Sequence, residues 1–218
     1  IVDIAKEKNI FVNIDLEDYA HYNQTLDIVL DLAKSYDNVG TVMQAYLHRA
    51  EPDLRLLKDV RIRLVKGAYK EDPAVAIQRK EDIDENFIKL IKMRLENGTF
   101  TSIATHDHNI INEVKAFVEE NNISKDTFEF QMLYGFRTEL QERLVAEGYR
   151  FCMYVPFGED WYGYFMRRLA ERPQNLNFVV KDAMVKPDGT VKKTPIVVGT
   201  AVASLIAYKV LKKKKEDE

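Results

Sequence analysis

Arg167 and Arg168 are adjacent guanidinium groups in the stretch Tyr164-Phe165-Met166-Arg167-Arg168-Leu169-Ala170-Glu171. Guanidinium forks bind carboxylate and phosphate oxygens bidentately, so such a pair beside aromatic residues suits an oxyanion clamp. Helix neighbours point about 100° apart, so both reach one ligand only if it lies at the helix's side; a solvated helix face is the other reading. A second group is Arg63-Leu64-Val65-Lys66-Gly67-Ala68-Tyr69. In a strand, Arg63 faces one way and Lys66 the other, and buried charges of this kind need partners. Gly67 and Ala68 would let a flat ligand approach the backbone. Asp15-Leu16-Glu17-Asp18 places three carboxylates where they suit a site or a helix N-terminus. Thr105-His106-Asp107-His108 contains an H-x-H, but no further His is near in sequence. A ligand-contacting strand end is therefore preferred to a metal site there. Cys152, between Phe151 and Met153, reads as a small core residue. Tyr134, Tyr154, Tyr162 and Tyr164 suit ordinary packing at strand ends.

The elements that must position these residues alternate along the chain. Strand-like runs are expected at Ile10–Asp15, Thr41–Tyr46, Ile62–Ala68, Thr101–His106, Phe128–Leu133 and Tyr149–Pro156. Several are apolar almost throughout, as in parallel strands covered on both faces. Helical spacing recurs between them, in Leu26, Ile28, Val29, Leu30, Leu32 and Ala33, in Phe87, Ile88, Leu90, Ile91 and Leu95, and in Ile110, Ile111, Val114, Phe117 and Val118. Gly98 and Gly148 stand where helices should stop. Repeated βα units mean an α/β fold, either a doubly wound sheet or a (βα)8 barrel. No G-x-G occurs, so the Rossmann and Walker fingerprints are absent and the barrel is preferred. Six strands are found where a barrel has eight. Polar residues gather at the carboxyl ends of these strands (Asp15, Gln44, Lys66, His106, Gln131 and Tyr154), the edge where both architectures carry chemistry.

Composition narrows the classes further. The 218 residues carry 32 Lys+Arg against 35 Asp+Glu, a formal net charge of −3, with 46% hydrophobic residues. Enough apolar surface exists for a core, and no global positive excess favours nucleic acid. One cysteine excludes an intramolecular disulfide and a Cys-based metal cluster. The start at Ile1, without a signal-like segment, suggests a processed or truncated piece. Residues 183–218 differ from 1–182: a Pro187-Asp188-Gly189 turn, an apolar run from Pro195 to Tyr208, then Lys212–Lys215. The run is shorter than the ~20 residues a spanning helix needs. It suits a packed terminal helix or a membrane-surface helix over 195–215.

Taken together and in order, RLVKGAY, ATH, EFQMLYG and YVPFG…YFMRRLAERP resemble proline dehydrogenase, with the likeness running from Asp15 to Asn177. The resemblance implies a distorted (βα)8 TIM barrel, of which about six βα units are present in 1–182, followed by the 183–218 tail. It implies FAD as cofactor, L-proline as substrate, Δ1-pyrroline-5-carboxylate as product and a membrane quinone as electron acceptor. Carried over by position, Arg167 and Arg168 match the arginines that hold the proline carboxylate. Tyr154, Tyr164 and Tyr69 match aromatic walls of the pocket, and Asp15 a carboxylate supporting it through Tyr154. Arg63 matches an arginine beside flavin N5, and Gln44 a glutamine on the ring's polar edge. Lys66 and Ala68 match cofactor-binding positions, Thr105 and His106 the adenosine side of FAD, and Glu171 a residue orienting Arg168. The family's carboxylate-binding lysine and a closing acidic residue would precede Ile1. The expected setting is cytoplasmic, with peripheral membrane contact through 195–215, no metal and no nucleic acid. Two alternatives remain open: a barrel flavoprotein of the methylenetetrahydrofolate reductase type, and a non-catalytic fragment binding a partner or membrane.

Overall fold

The computed structural model describes residues 1–155 together with 157 and 158. Each expected strand forms, at nearly the expected place. The order is α1 (Val2–Glu7), β1 (Val12–Ile14), α2 (Tyr22–Ala33), β2 (Val39–Gln44), α3 (Ala50–Leu56), β3 (Arg61–Val65) and α4 (Lys80–Asn97). It continues with β4 (Thr101–Ala104), α5 (His108–Glu120), β5 (Phe128–Leu133), α6 (Thr138–Ala146) and β6 (Phe151–Tyr154). All five pairings are parallel and the sheet order is β1-β2-β3-β4-β5-β6, so every strand lies beside its neighbour in sequence. Strands in chain order, each crossing over through a helix, curl into barrel wall, and the sheet here is such a wall.

The two faces of this sheet have opposite chemistry. Met43, Ile62, Leu64, Ile103, Phe128 and Phe130 face the helices and are almost wholly buried. They meet Tyr22 and Val29 of α2, Phe87, Leu90 and Ile91 of α4, and Ile111 and Val114 of α5 in one continuous core. Each such side chain contributes about 1.5–3 kcal/mol by leaving water. The alternate residues, on the inner face, are largely polar. Arg63 is in register with Ser102, Ser102 with Glu129, and Gln131 with Cys152.

Towards the amino-terminal ends of the strands, the Arg61 guanidinium lies between two rings, 4.0 Å from the centre of Phe11 and 4.3 Å from that of Phe100. Gly40 is required beside them: a Cβ there would come within 2.5 Å of both Phe11 Cζ and the Arg61 carbonyl oxygen. A further buried cation ties the helix layer to the loops. Arg94 of α4 donates through Nη1 to the carbonyls of Leu57 and Lys58, and through Nη2 to those of Val60 and Thr99, at 2.9–3.1 Å. Burial pulls its pKa down to about 10, the cost of holding a charge away from water.

Two expectations are corrected. The third strand ends at Val65 rather than Ala68. Gly67 has φ +108° and would meet the Tyr46 ring if it carried a Cβ, so its bare backbone makes room for Tyr46. Cys152 is exposed, on the polar inner face where its register with Gln131 places it. Gly98 and Gly148 do end α4 and α6, the latter at φ +82°.

Candidate active site

Asp15 follows β1, Gln44 ends β2, and Arg63 stands in the middle of β3, level with Val42 and one inward-facing position below Gln44. Arg63 faces inward from β3 and its side chain is 15% exposed; its Nη2 lies 2.7 Å from Asp15 Oδ2. Asn13 Nδ2 donates to the other Asp15 oxygen at 2.7 Å, which fixes the carboxylate's orientation. The Arg63 guanidinium also lies 5.3 Å from the Tyr154 ring centre. Arg63 thus neighbours both Asp15 and Tyr154, an intermediary that the sequence reading did not foresee. Arg63 Nε is buried without a hydrogen-bond partner among the described residues. A buried donor left unmade costs about 1–3 kcal/mol, so this atom marks where a ligand would repay its binding.

Gln44 is buried and donates from Nε2 to the carbonyls of Leu16 and Glu17, both at 3.1 Å. The three carboxylates after β1 thus have three separate partners. Asp15 pairs with Arg63, Glu17 accepts from the Tyr69 hydroxyl, and Asp18 caps the short 3-10 turn Tyr19–His21 before α2.

Lys66 turns the other way from Arg63, as alternation requires, and meets two carboxylates. Its Nζ pairs with Asp84 of α4 and lies 3.4 Å from Asp107 Oδ2 at the start of α5. Burial works to raise both carboxyls. Hydrogen bonds from Lys66 and Lys80 hold Asp84 below the usual carboxylate range, and Lys66 with the Asn109 N–H does the same for Asp107. Asp107 caps α5 by accepting from the Asn109 N–H at 3.1 Å. Thr105 is buried and its hydroxyl accepts from the Asp107 N–H at 3.1 Å. His106 Nε2 accepts from the Leu133 N–H at 3.0 Å, linking β4 to β5. Ala68 and Tyr69 follow Gly67 and, with Tyr46 and Glu71, line a small cavity of about 190 Å³.

Asp15, Arg63 and Tyr154 therefore come together, Gln44 lies on the adjacent strand, and Lys66, Thr105 and His106 form a second group around the start of α5. Tyr164, Arg167, Arg168, Glu171 and the 195–215 segment lie outside the described residues. Sequence reasoning missed Asp84, whose only signal was one more carboxylate near the start of α4, after Glu81 and Asp82. It also missed Glu129, an acid on the inner face of β5 that accepts from Ser102 and Gln131, both at 2.7 Å. The alternation Phe128-Glu129-Phe130-Gln131 was the available signal for it. Among the described residues no cluster of His, Cys, Asp and Glu is set to hold a metal ion, and no helix is long and apolar enough to cross a membrane.

A parallel barrel wall with an ion pair and converging polar groups at the strands' carboxyl ends defines an α/β-barrel protein with its site on that edge. Comparison with known proteins narrows the class. The sequence profile of proline dehydrogenase matches residues 1–181, and the chain belongs to that family. Proline dehydrogenase 1 of Bacillus subtilis is 50% identical over 188 residues, covering 85% of this chain and 62% of that protein. Proline dehydrogenase of Deinococcus radiodurans is 48% identical over 185 residues, covering 83% and 60%. The chain thus spans about 60% of the length of these curated relatives. Among solved structures, proline utilization A from Bdellovibrio bacteriovorus, inactivated by N-propargylglycine, matches with a TM-score of 0.71 at 31% identity, over 77% of this chain and 20% of that one.

Proposed function

We propose that this chain carries most of the site of an FAD-dependent proline dehydrogenase, which oxidises L-proline to Δ1-pyrroline-5-carboxylate and passes the electrons to a membrane quinone. The observation that carries the reading is Arg63: it is anchored by Asp15, stacked towards Tyr154, and keeps a buried Nε without a partner among the described residues. That donor set fits the polar edge of a flavin, a planar ring with several acceptors. Bound FAD would supply the hydride acceptor for proline C5.

The chain's own residues bind and orient. Arg167 and Arg168 hold the proline carboxylate as a fork. Tyr69, Tyr154 and Tyr164 wall the ring of the substrate, exclude water and limit its freedom. Orientation of this kind supplies much of the rate in a reaction of narrow geometry. Arg63 provides fixed positive charge where the negative charge of reduction develops. Gln44 meets the cofactor's polar edge. Lys66, Ala68, Thr105 and His106 hold its phosphate and adenosine parts near the start of α5, where helix N–H groups favour anions. Glu171 orients Arg168.

The purified protein should carry the yellow absorbance of a flavin, and proline should bleach it in the absence of oxygen. A colourless preparation that takes up no added FAD sinks the reading. A flavin bleached by a reduced folate or nicotinamide but not by proline redirects it to another barrel flavoprotein. Arg167→Met should raise KM for proline while leaving FAD bound. Flotation with quinone-containing anionic vesicles, with and without residues 195–215, tests the membrane contact.

A further inference from the structure

Two glutamines face the inside of the sheet in one layer. Gln44 is in register with Val65, and Ala104 with Gln131. The Leu64–Ile103 pairing continues the row from Val65 to Ala104, so only two small side chains separate the carboxamides. In both glutamines the amide nitrogen is already engaged by groups that can only accept. Gln44 Nε2 donates to two backbone carbonyls, and Gln131 Nε2 donates to Glu129 Oε1 at 2.7 Å. A carbonyl or carboxylate admits no other orientation of the amide, so each glutamine is left with its carbonyl oxygen to offer.

For Gln44 the lock is backbone. For Gln131 it is a carboxylate two residues earlier on the same face, one layer down. Glu129 is itself held by the Ser102 hydroxyl at 2.7 Å, donated to the same oxygen. Packing alone does not call for an acid here, since a half-buried carboxylate is costly and a neutral residue would fill the space. The oxidised flavin ring has a single N–H on an edge otherwise made of acceptors, and it gains N–H groups on reduction. An amide free to rotate would offer that edge either end, whereas one fixed from behind offers the acceptor alone.

We propose that Glu129 is a positioning residue: it locks the Gln131 carboxamide as an acceptor for an N–H group of the flavin. The inference rests on the FAD reading given above and adds Gln131 as a cofactor contact that the sequence resemblance did not assign.

The test is a double-mutant cycle on the holoenzyme, read as FAD affinity by flavin fluorescence quenching on return of FAD to the stripped protein. Melting temperature is measured alongside. Gln131→Leu and Glu129→Ala should each weaken FAD about tenfold, one hydrogen bond's worth. The pair together should still lose about tenfold, because Glu129 acts only through Gln131. The flavin absorbance maximum should shift equally in all three variants. Losses that multiply to about a hundredfold, or that follow melting temperature instead of the flavin band, overturn the positioning role. If Glu129→Ala does not accumulate folded, Glu129→Gln replaces it. That variant keeps the volume but lets the facing amides flip, so a smaller loss that vanishes in the Gln131→Leu background supports the proposal, and a persisting one overturns it. Wild-type protein that binds no FAD overturns the functional reading itself, a different outcome from a cycle without coupling.

Discussion

Asp15 Oδ2 and Arg63 Nη2 stand 2.7 Å apart, linking the carboxyl end of β1 to the middle of β3, two strands that do not pair with each other. The carboxylate both aims the guanidinium and offsets its charge. Asp15→Asn keeps a hydrogen-bond acceptor but removes the negative charge, so Arg63 would act on the flavin uncompensated. The reduced ring, the more negative form, is then favoured. We expect the midpoint potential of bound FAD to rise by about 30 mV, the two-electron equivalent of about 1.4 kcal/mol, with FAD retained. Spectroelectrochemical titration measures this, and an unchanged or lower potential contradicts the assignment.

Arg94 is expected to matter for stability and not for the site. Its guanidinium reaches four carbonyls from the loops flanking β3 and β4, in a position that is 2% exposed. Arg94→Leu leaves those oxygens buried and unmatched at a cost of roughly 3 kcal/mol. For a chain of this size the melting temperature should fall by roughly 6–12 °C. Arg94→Lys should recover little, because one ammonium cannot span two pairs of carbonyls. Flavin potential in whatever protein folds should be that of the wild type.

The strands and their order were legible because parallel strands under helices are apolar for most of their length. Val39–Gln44 is buried at every position, and its run announces a strand whatever the topology. Arg63 and Lys66 were legible as opposed cations because alternation is a local property. What the chain did not disclose were the partners. Asp84 lies 18 residues beyond Lys66 and Glu129 lies 27 beyond Ser102, so their meeting depends on how the strands pair and where each helix starts. The Tyr46 neighbour of Gly67 was hidden for a similar reason. A glycine beside a ligand and a glycine beside a ring such as Tyr46 look alike in one dimension, and only the packing separates them. Cys152 was misread because the neighbours Phe151 and Met153 carried the apolar signal of the opposite face.

The Lys66 cluster should give the protein an acid limit. Burial pushes Asp84 and Asp107 upward, yet Lys66 and its companions hold both below the ordinary range. A carboxyl with a depressed folded pKa contributes stability that is complete above the unfolded value of about 3.9 and disappears as pH falls through the lower folded value. Stability measured by urea titration should therefore be flat through neutrality and decline below about pH 4. Lys66→Met removes the shared cation, so that burial and mutual repulsion raise both carboxyls against only Lys80 at Asp84 and the Asn109 N–H at Asp107. The decline should then begin at higher pH, with a loss of about 2 kcal/mol at pH 7. An acid limb unmoved by Lys66→Met contradicts this account.

Gly67 combines two constraints that a pair of substitutions can separate. Its φ of +108° is a conformation L residues rarely adopt, and the Tyr46 ring occupies the space a Cβ would need. Gly67→Ala should cost about 2–4 kcal/mol, part dihedral strain and part collision. Replacing the ring by Tyr46→Leu removes the collision but not the strain. In that background Gly67→Ala should cost only about 1–2 kcal/mol, and the difference between the two values is the steric coupling. Equal costs in both backgrounds would assign the requirement for glycine to the backbone alone. Because Lys66, Ala68 and Tyr69 flank this residue, Gly67→Ala should also weaken FAD, whereas Arg94→Leu should not. A stability loss confined to the turn therefore registers at the cofactor, while one of similar size at Arg94 stays silent there.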